Sequence, residues 1–200
     1  MSLKVVGIIG SPRKGMNTDT LVSRALEGAQ SADAEVEIEK IYLNDLDIMP
    51  CQACNKFPSP DYCFFHDGMD SIYKILEVAD ALVIGAPAYF GTISAQLKLL
   101  IDRSNCLAEM ITLPEGKTVF KSRLQKRKKG IFIWVANISK NPEHALVSLR
   151  IWSKYFANVE LLDTLVVTES DVGEGARKRE ELLEKAFQSG LFLGQPLGLL

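Results

Sequence analysis

Apolar positions along the chain change period at regular intervals, and the changes divide it into alternating strands and helices. Residues 3–9 (LKVVGII) read as a buried strand, after which Leu21, Val22, Ala25, Leu26 and Ala29 recur at helical spacing. Residues 35–41 (EVEIEKI) alternate apolar and charged side chains, which predicts a half-exposed strand near a sheet edge. Met69, Ile72, Ile75 and Leu76 mark a second helix, with Asp67 placed to cap it. Residues 81–85 are wholly apolar and are expected as a central strand. A third helix is expected over 93–107 through Leu97, Leu100, Ile101 and Ser104, followed by a fourth strand over 130–136 (GIFIWVA). A fourth helix over 142–156, a fifth strand over 159–167 (VELLDTLVV) and a closing amphipathic helix from Glu174 to about Leu193 complete the series. That last helix rests on Leu182, Leu183, Ala186 and Phe187. Strict alternation implies βαβ units, hence an α/β fold: a doubly wound, five-stranded parallel sheet with helices on both faces and 2-1-3-4-5 as the simplest strand order.

One stretch, at about 44–66, breaks the regularity, and connections of that length are uncommon unless functional or disordered. It holds Cys51, Cys54 and Cys63; the fourth cysteine is Cys106. With 200 residues, 47% hydrophobic and 24% charged, the chain is expected to form a single domain over 1–200. A formal charge of −2 gives no general attraction to nucleic acid or to an anionic membrane, and does not resemble the strongly acidic surface of a dedicated electron carrier. The N-terminal apolar run is short and interrupted by Gly7, as a strand rather than a signal peptide, and no run of about 18 apolar residues predicts a membrane span. A cytoplasmic setting follows, in which clustered cysteines suggest reduced thiols, a metal or redox chemistry rather than a disulfide framework.

The first strand-to-helix turn, GSPRKGMNTDT, falls at the carboxyl end of the sheet, where open α/β folds bind ligands. It offers the Ser11 and Thr18 hydroxyls, the Asn17 amide, the Arg13 guanidinium and free N–H groups at a helix start, a donor set suited to a terminal phosphate. Neither the G-x-G-x-x-G nor the G-x-x-x-x-G-K-[ST] pattern is present; the GKT at 116–118 fails because Ile111 stands where a P-loop needs glycine. Taken alone, the turn is equally well explained as a polar helix cap. The segment GAPAYFGTISAQLKLLIDR follows the central strand and brings Pro87, Ala88, Tyr89, Phe90 and Gly91 beside that turn. Pro87 and Gly91 shape a tight backbone, and Tyr89 and Phe90 offer a planar wall, although core packing also accounts for two aromatics. His144 lies on an amphipathic helix and reads as a surface residue, and no Ser, His and Asp arrangement for hydrolysis is identifiable.

Together, the G-S-P-R-x-x-x-N-T turn and the P-x-Y-x-G loop resemble those of the NAD(P)H-dependent FMN reductase superfamily, a flavodoxin-like group that includes the iron–sulfur flavoproteins. The likeness runs from Lys4 to about Arg103 in specific motifs. It implies FMN as cofactor, with Ser11, Arg13, Asn17 and Thr18 on the phosphate, Pro87, Ala88, Tyr89, Phe90 and Gly91 on the isoalloxazine, and Asn137 as a candidate third flavin contact. Backbone N–H groups near Ala88 to Gly91 would stabilise the reduced ring, so no side-chain acid or base is required. NADPH or NADH would be the electron donor, with a quinone, flavin, nitro compound or metal complex as acceptor; an electron carrier with a protein partner is the alternative. The resemblance also implies a homodimer or homotetramer, and the terminal GLFLGQPLGLL either crosses such an interface or covers its own core.

Iron–sulfur flavoproteins carry a compact four-cysteine run between the second strand and second helix. Here Phe57 stands where the third of those cysteines is expected, so no cluster is expected. Cys51, Cys54, Cys63 and His66 keep a weaker metal reading open, since three sulfurs and an imidazole form a known zinc set. KSRLQKRKK, residues 121–129, carries six cations and reads either as a solvated loop or as a contact for the 2′-phosphate of NADPH.

Overall fold

The computed structural model describes residues 2–56, 62–138, 141–168 and 175–195. Its strands are β1 (Lys4–Ile9), β2 (Glu37–Tyr42), β3 (Ala81–Pro87), β4 (Ala108–Thr112), β5 (Thr118–Ser122), β6 (Lys128–Val135) and β7 (Val159–Val167). Five of them form a parallel sheet in the order β2-β1-β3-β6-β7. This is the expected 2-1-3-4-5 arrangement, with the fourth and fifth sheet strands carried by β6 and β7. The apolar β3 lies at the centre and the alternating β2 at an edge, as their patterns require.

Two features depart from expectation. An antiparallel hairpin, β4 paired with β5, stands apart from the main sheet where the sequence suggested only connecting chain. Its turn uses Gly116 at φ 81, a left-handed conformation that glycine adopts without a Cβ clash. The third and fourth helices are also shorter than expected. They are α3 (Ala95–Arg103), continued by a 3₁₀ turn Ser104–Leu107, and α4 (Glu143–Trp152), continued by a π-helical turn Ser153–Ala157.

The other helices are α1 (Asn17–Ala32), α2 (Met69–Val78) and α5 (Glu180–Leu191). The N-cap of α2 is Gly68 rather than Asp67, but Asp67, one residue earlier, still accepts from the Met69 amide at 2.9 Å. A core containing Trp134, Trp152 and Phe132 fills one side of the sheet with residues of α2, α3 and α4. α1 and α5 cover the other side, over Val5, Ile9, Val83 and Ile133. There the two helices touch backbone to backbone: a Cβ added at Gly190 would lie 1.9 Å from the Ala25 carbonyl oxygen, and one at Gly28 2.1 Å from that of Phe187. Leu193 is buried and Gly194 abuts Ala29, so this part of the C-terminal stretch covers its own core. Residues 196–200 and Glu174, expected in the tail and at the start of the last helix, lie outside the described residues. Among the described residues, no helix is long and apolar enough to cross a membrane.

Candidate functional site

β1 and β3 are neighbours, so the turns that leave their carboxyl ends meet. The Gly10 amide donates to the Gly85 carbonyl at 2.7 Å, and the buried Ser94 hydroxyl donates to the Gly10 carbonyl at 2.7 Å while capping α3 through the Leu97 amide. Ser94 thereby fastens the aromatic loop to the first turn. No motif in the sequence marks it beyond its place before the apolar period of α3. Gly85 is bare for a steric reason, since a Cβ there would lie 2.4 Å from Val22 and 2.9 Å from Thr18.

The two turns and the end of β6 enclose a cleft lined by Ser11, Arg13, Met16, Asn17, Thr18, Pro87, Ala88, Tyr89, Val135 and Asn137. Eight of the ten expected contacts are therefore brought together. Phe90 and Gly91 are not on its wall. They form the tip of a two-residue turn, φ 51 and 76, closed by reciprocal backbone hydrogen bonds between Tyr89 and Thr92 at 3.1 Å. The Phe90 ring is fully exposed, and only Tyr89 supplies an aromatic face. The Ala88 amide donates to Val135 and the Tyr89 amide to Thr92, which corrects the expectation that this whole loop offers free donors. Among the described residues, the unengaged amides of the loop are those of Phe90 and Gly91.

The first turn is held from beneath by Asp19, a buried side chain that accepts from the Gly15 amide at 2.6 Å, from Ser23 and Lys40 at 3.2 Å, and from the Tyr42 hydroxyl at 3.0 Å. Burial works against its charge, but the Gly15 amide, Tyr42 and Lys40 outweigh burial and hold the carboxyl below its usual range. Asn17 lines the cleft yet spends its carbonyl oxygen on the Ala176 amide, 2.9 Å away and 159 residues along the chain. Arg13 is exposed and, among the described residues, forms no ion pair.

A second cavity brings all four cysteines together. Cys51, Cys54, Cys63 and Cys106 line it with Tyr62, Phe64, Phe65, Arg103 and Asn105. Arg103, 3% exposed, organises this loop: its guanidinium donates to the Met49 carbonyl at 2.8 Å and the Phe65 carbonyl at 3.3 Å, contacts Cys63 Sγ at 3.5 Å and pairs with Asp67. Burial pushes the Cys106 thiol up to about 11, so it is protonated at neutral pH. His66 is absent from this cavity; its Nδ1 faces Asp70 at 3.2 Å. The cysteine from α3's end, rather than the histidine, is thus the fourth member of the group. Among the described residues, no three His, Cys, Asp or Glu side chains lie close enough together to hold a metal ion. Phe57 lies outside the described residues.

The basic stretch does not reach the cleft. β6 begins at Lys128, and the cleft is at the other end of that strand, at Val135. Lys126 pairs with Asp80 and Arg127 with Glu160, while Lys129 donates to the Phe192 and Gln195 carbonyls. Lys128 is fully buried. Within one chain these cations fasten the amino-terminal end of the sheet, which supports a structural role for the stretch over contact with a 2′-phosphate. His144 is exposed, as expected.

Comparisons with known proteins agree with the architecture. Over 102 residues the chain is 39% identical to an iron-sulfur flavoprotein of Methanosarcina thermophila, covering 51% of this chain and 52% of that protein. Over 105 residues it is 44% identical to an iron-sulfur flavoprotein of Methanocaldococcus jannaschii, covering 52% and 53%. The chain therefore spans about half the length of the curated relatives it matches. Among solved structures, a flavone reductase superposes with a TM-score of 0.69 at 18% identity, over 96% of this chain and 62% of that one, a likeness of fold. The sequence model of the family described as NADPH-dependent FMN reductase matches residues 3–168, most of the chain, and the chain belongs to that family.

Proposed function

We propose that residues 1–200 form one FMN-binding oxidoreductase unit that takes electrons from NADH or NADPH and passes them to a small acceptor such as a quinone, flavin, nitro compound or metal complex. The observation that carries this reading is the cleft, with hydroxyl and guanidinium donors on one wall and Pro87, Ala88 and Tyr89 on the other. The donor set fits a phosphate monoester: Arg13 has no carboxylate partner among the described residues, and the first amides of α1 have no acceptor within their own helix. Ser11, Arg13 and Thr18 would hold the phosphate, with Asn17 locking the turn. Pro87, Ala88, Tyr89 and Asn137 would border the ring, and Phe90 and Gly91 would act through their backbone amides. When bound, FMN would supply the redox chemistry, accepting hydride at N5 from a stacked nicotinamide. Tyr89 is 41% exposed, so the site is open to solvent on that side.

The same reading includes a cytoplasmic homodimer or homotetramer, a setting that the four free cysteines suit. It does not include an iron–sulfur cluster. Phe57 stands where the third cysteine of that run is expected, and Arg103 and Tyr73 engage Cys63 and Cys106. The test is anaerobic titration of the flavin-loaded protein with NADH and NADPH, followed at the flavin absorbance. Bleaching by either nucleotide is expected. A flavin reduced by dithionite but by neither nucleotide would make the protein an electron carrier.

A further inference from the structure

We propose that Arg177 is a second guanidinium for the flavin phosphate, delivered to the first turn by the C-terminal segment. The inference deepens the FMN reading above and rests on it. Arg177 lies beyond the 3–168 stretch that matches the family, in a single 3₁₀ turn, Gly175–Lys178. That turn is docked on the phosphate turn itself. The Ala176 amide donates to the Asn17 side chain at 2.9 Å, and Ala176 is 1% exposed in the core beneath α1. Asn17 thus fixes the residue before Arg177 against the start of α1.

Gly15 completes the contact. Its φ of +69 turns its amide down toward Asp19 and its bare Cα outward, where a Cβ would lie 3.1 Å from Arg177 Nη2. The guanidinium covers a position of the turn that has no side chain to keep it away. Among the described residues Arg177 is exposed and forms no ion pair, whereas the neighbouring Arg179 is committed to Thr168 and Glu181. Arg13 is likewise unpaired. Lys14, between Arg13 and Gly15, is already matched to Asp45.

Two exposed guanidinium ions without carboxylate partners among the described residues, Arg13 in the cleft wall and Arg177 beside Gly15 at its margin, set up a positive potential that favours an anion there. A phosphate monoester carries about −1.5 to −2 at neutral pH, which this pair of cations matches in charge and in forked donor geometry. Two segments far apart in the chain would therefore grip one phosphate, Arg13 from β1's turn and Arg177 from α5's approach. Riboflavin, which has the same ring and no phosphate, would not feel Arg177.

The experiment measures dissociation constants of FMN and riboflavin by fluorescence quenching in the wild-type protein, Arg177→Gln and Arg177→Lys. Arg177→Gln should weaken FMN about tenfold or more while leaving riboflavin unchanged, and Arg177→Lys should recover part of the loss. Unchanged riboflavin binding also reports that the variant is folded. If the wild type prefers FMN and Arg177→Gln leaves that preference intact, the proposal is overturned, and it is equally overturned if both ligands weaken together. A wild type that binds both flavins equally would instead sink the phosphate reading of the turn.

Discussion

Lys128 gives the most quantitative handle on this structure. Its side chain is fully buried at the start of β6, where Nζ donates to the Lys126 carbonyl at 2.8 Å and the Ala157 carbonyl at 3.1 Å. Burial pushes its pKa down from 10.5 to about 8, with the Lys126 cation adding to the fall and Asp80 opposing it. At 1.36 kcal/mol per pH unit, that fall is a stability cost of about 3 kcal/mol. Below pH 8 the amine is charged in both folded and unfolded chains, and the whole cost is present. Between pH 8 and 10.5 the unfolded chain binds more protons than the folded one, so this group makes stability rise with pH. Lys128→Met removes the titration and also both hydrogen bonds, each a net contribution of about 0.5–1.5 kcal/mol. At pH 7 the two effects oppose each other, and the net change is small. The pH dependence is the diagnostic quantity. In urea denaturation of both proteins, wild-type stability relative to Lys128→Met should climb by about 1.4 kcal/mol from pH 7 to pH 9 and by about 3 kcal/mol beyond pH 10.5. All other titrating groups are common to the two proteins and cancel. Parallel stability curves across this range would refute the burial of a charged amine at this position.

Removing the first guanidinium, Arg13→Ala, should narrow the gap between FMN and riboflavin affinities by about 1.5–3 kcal/mol, read by flavin fluorescence; an unaltered gap would remove Arg13 from the phosphate. Neutralising Lys126 and Lys129 should leave the ratio of NADH to NADPH turnover unchanged, because both side chains serve the far edge of the sheet; a selective loss with NADPH would restore their nucleotide role. Gly190→Ala should lower the urea midpoint, although helix propensity favours alanine by about 1 kcal/mol, because overpacking against the Ala25 carbonyl costs about 1–3 kcal/mol or more. A more stable Gly190→Ala protein would contradict the close α1–α5 contact. Anaerobic purification followed by iron, sulfide and zinc analysis should find no stoichiometric metal; iron with acid-labile sulfide would overturn the free-thiol reading.

The parallel sheet was legible because burial on both faces forces continuous apolar runs, and residues 81–85 could hardly be anything but a central strand. The β4–β5 hairpin was not, because its large apolar residues Met110 and Phe120 are exposed and leave no one-sided alternation to read. The turn residues of the cleft could be named from donor chemistry alone. Their division of labour could not, since only the fold shows that Phe90 faces solvent and that Asn17 spends its oxygen on Ala176. Lys128 sat within a run of six cations, and composition offers no sign that one of them is buried. Cys106 and Arg103 reach the cysteine loop from the end of α3, a proximity that sequence distance conceals.

The hydrogen bond from Ala176 to Asn17 bears on how the protein is made. α1 is synthesised directly after β1, but the residue that closes its leading turn follows 159 positions later. Until residue 176 is made, the first turn is a polar loop without that flank, and so long a loop closure belongs to the slow, late part of folding. A nascent chain of β1 through β6 would already own both walls of the cleft while lacking the clasp. On the proposed reading of the turn, capture of a phosphorylated ligand would thereby be coupled to the docking of α5, so that tight binding would certify a chain in which that helix has found its place.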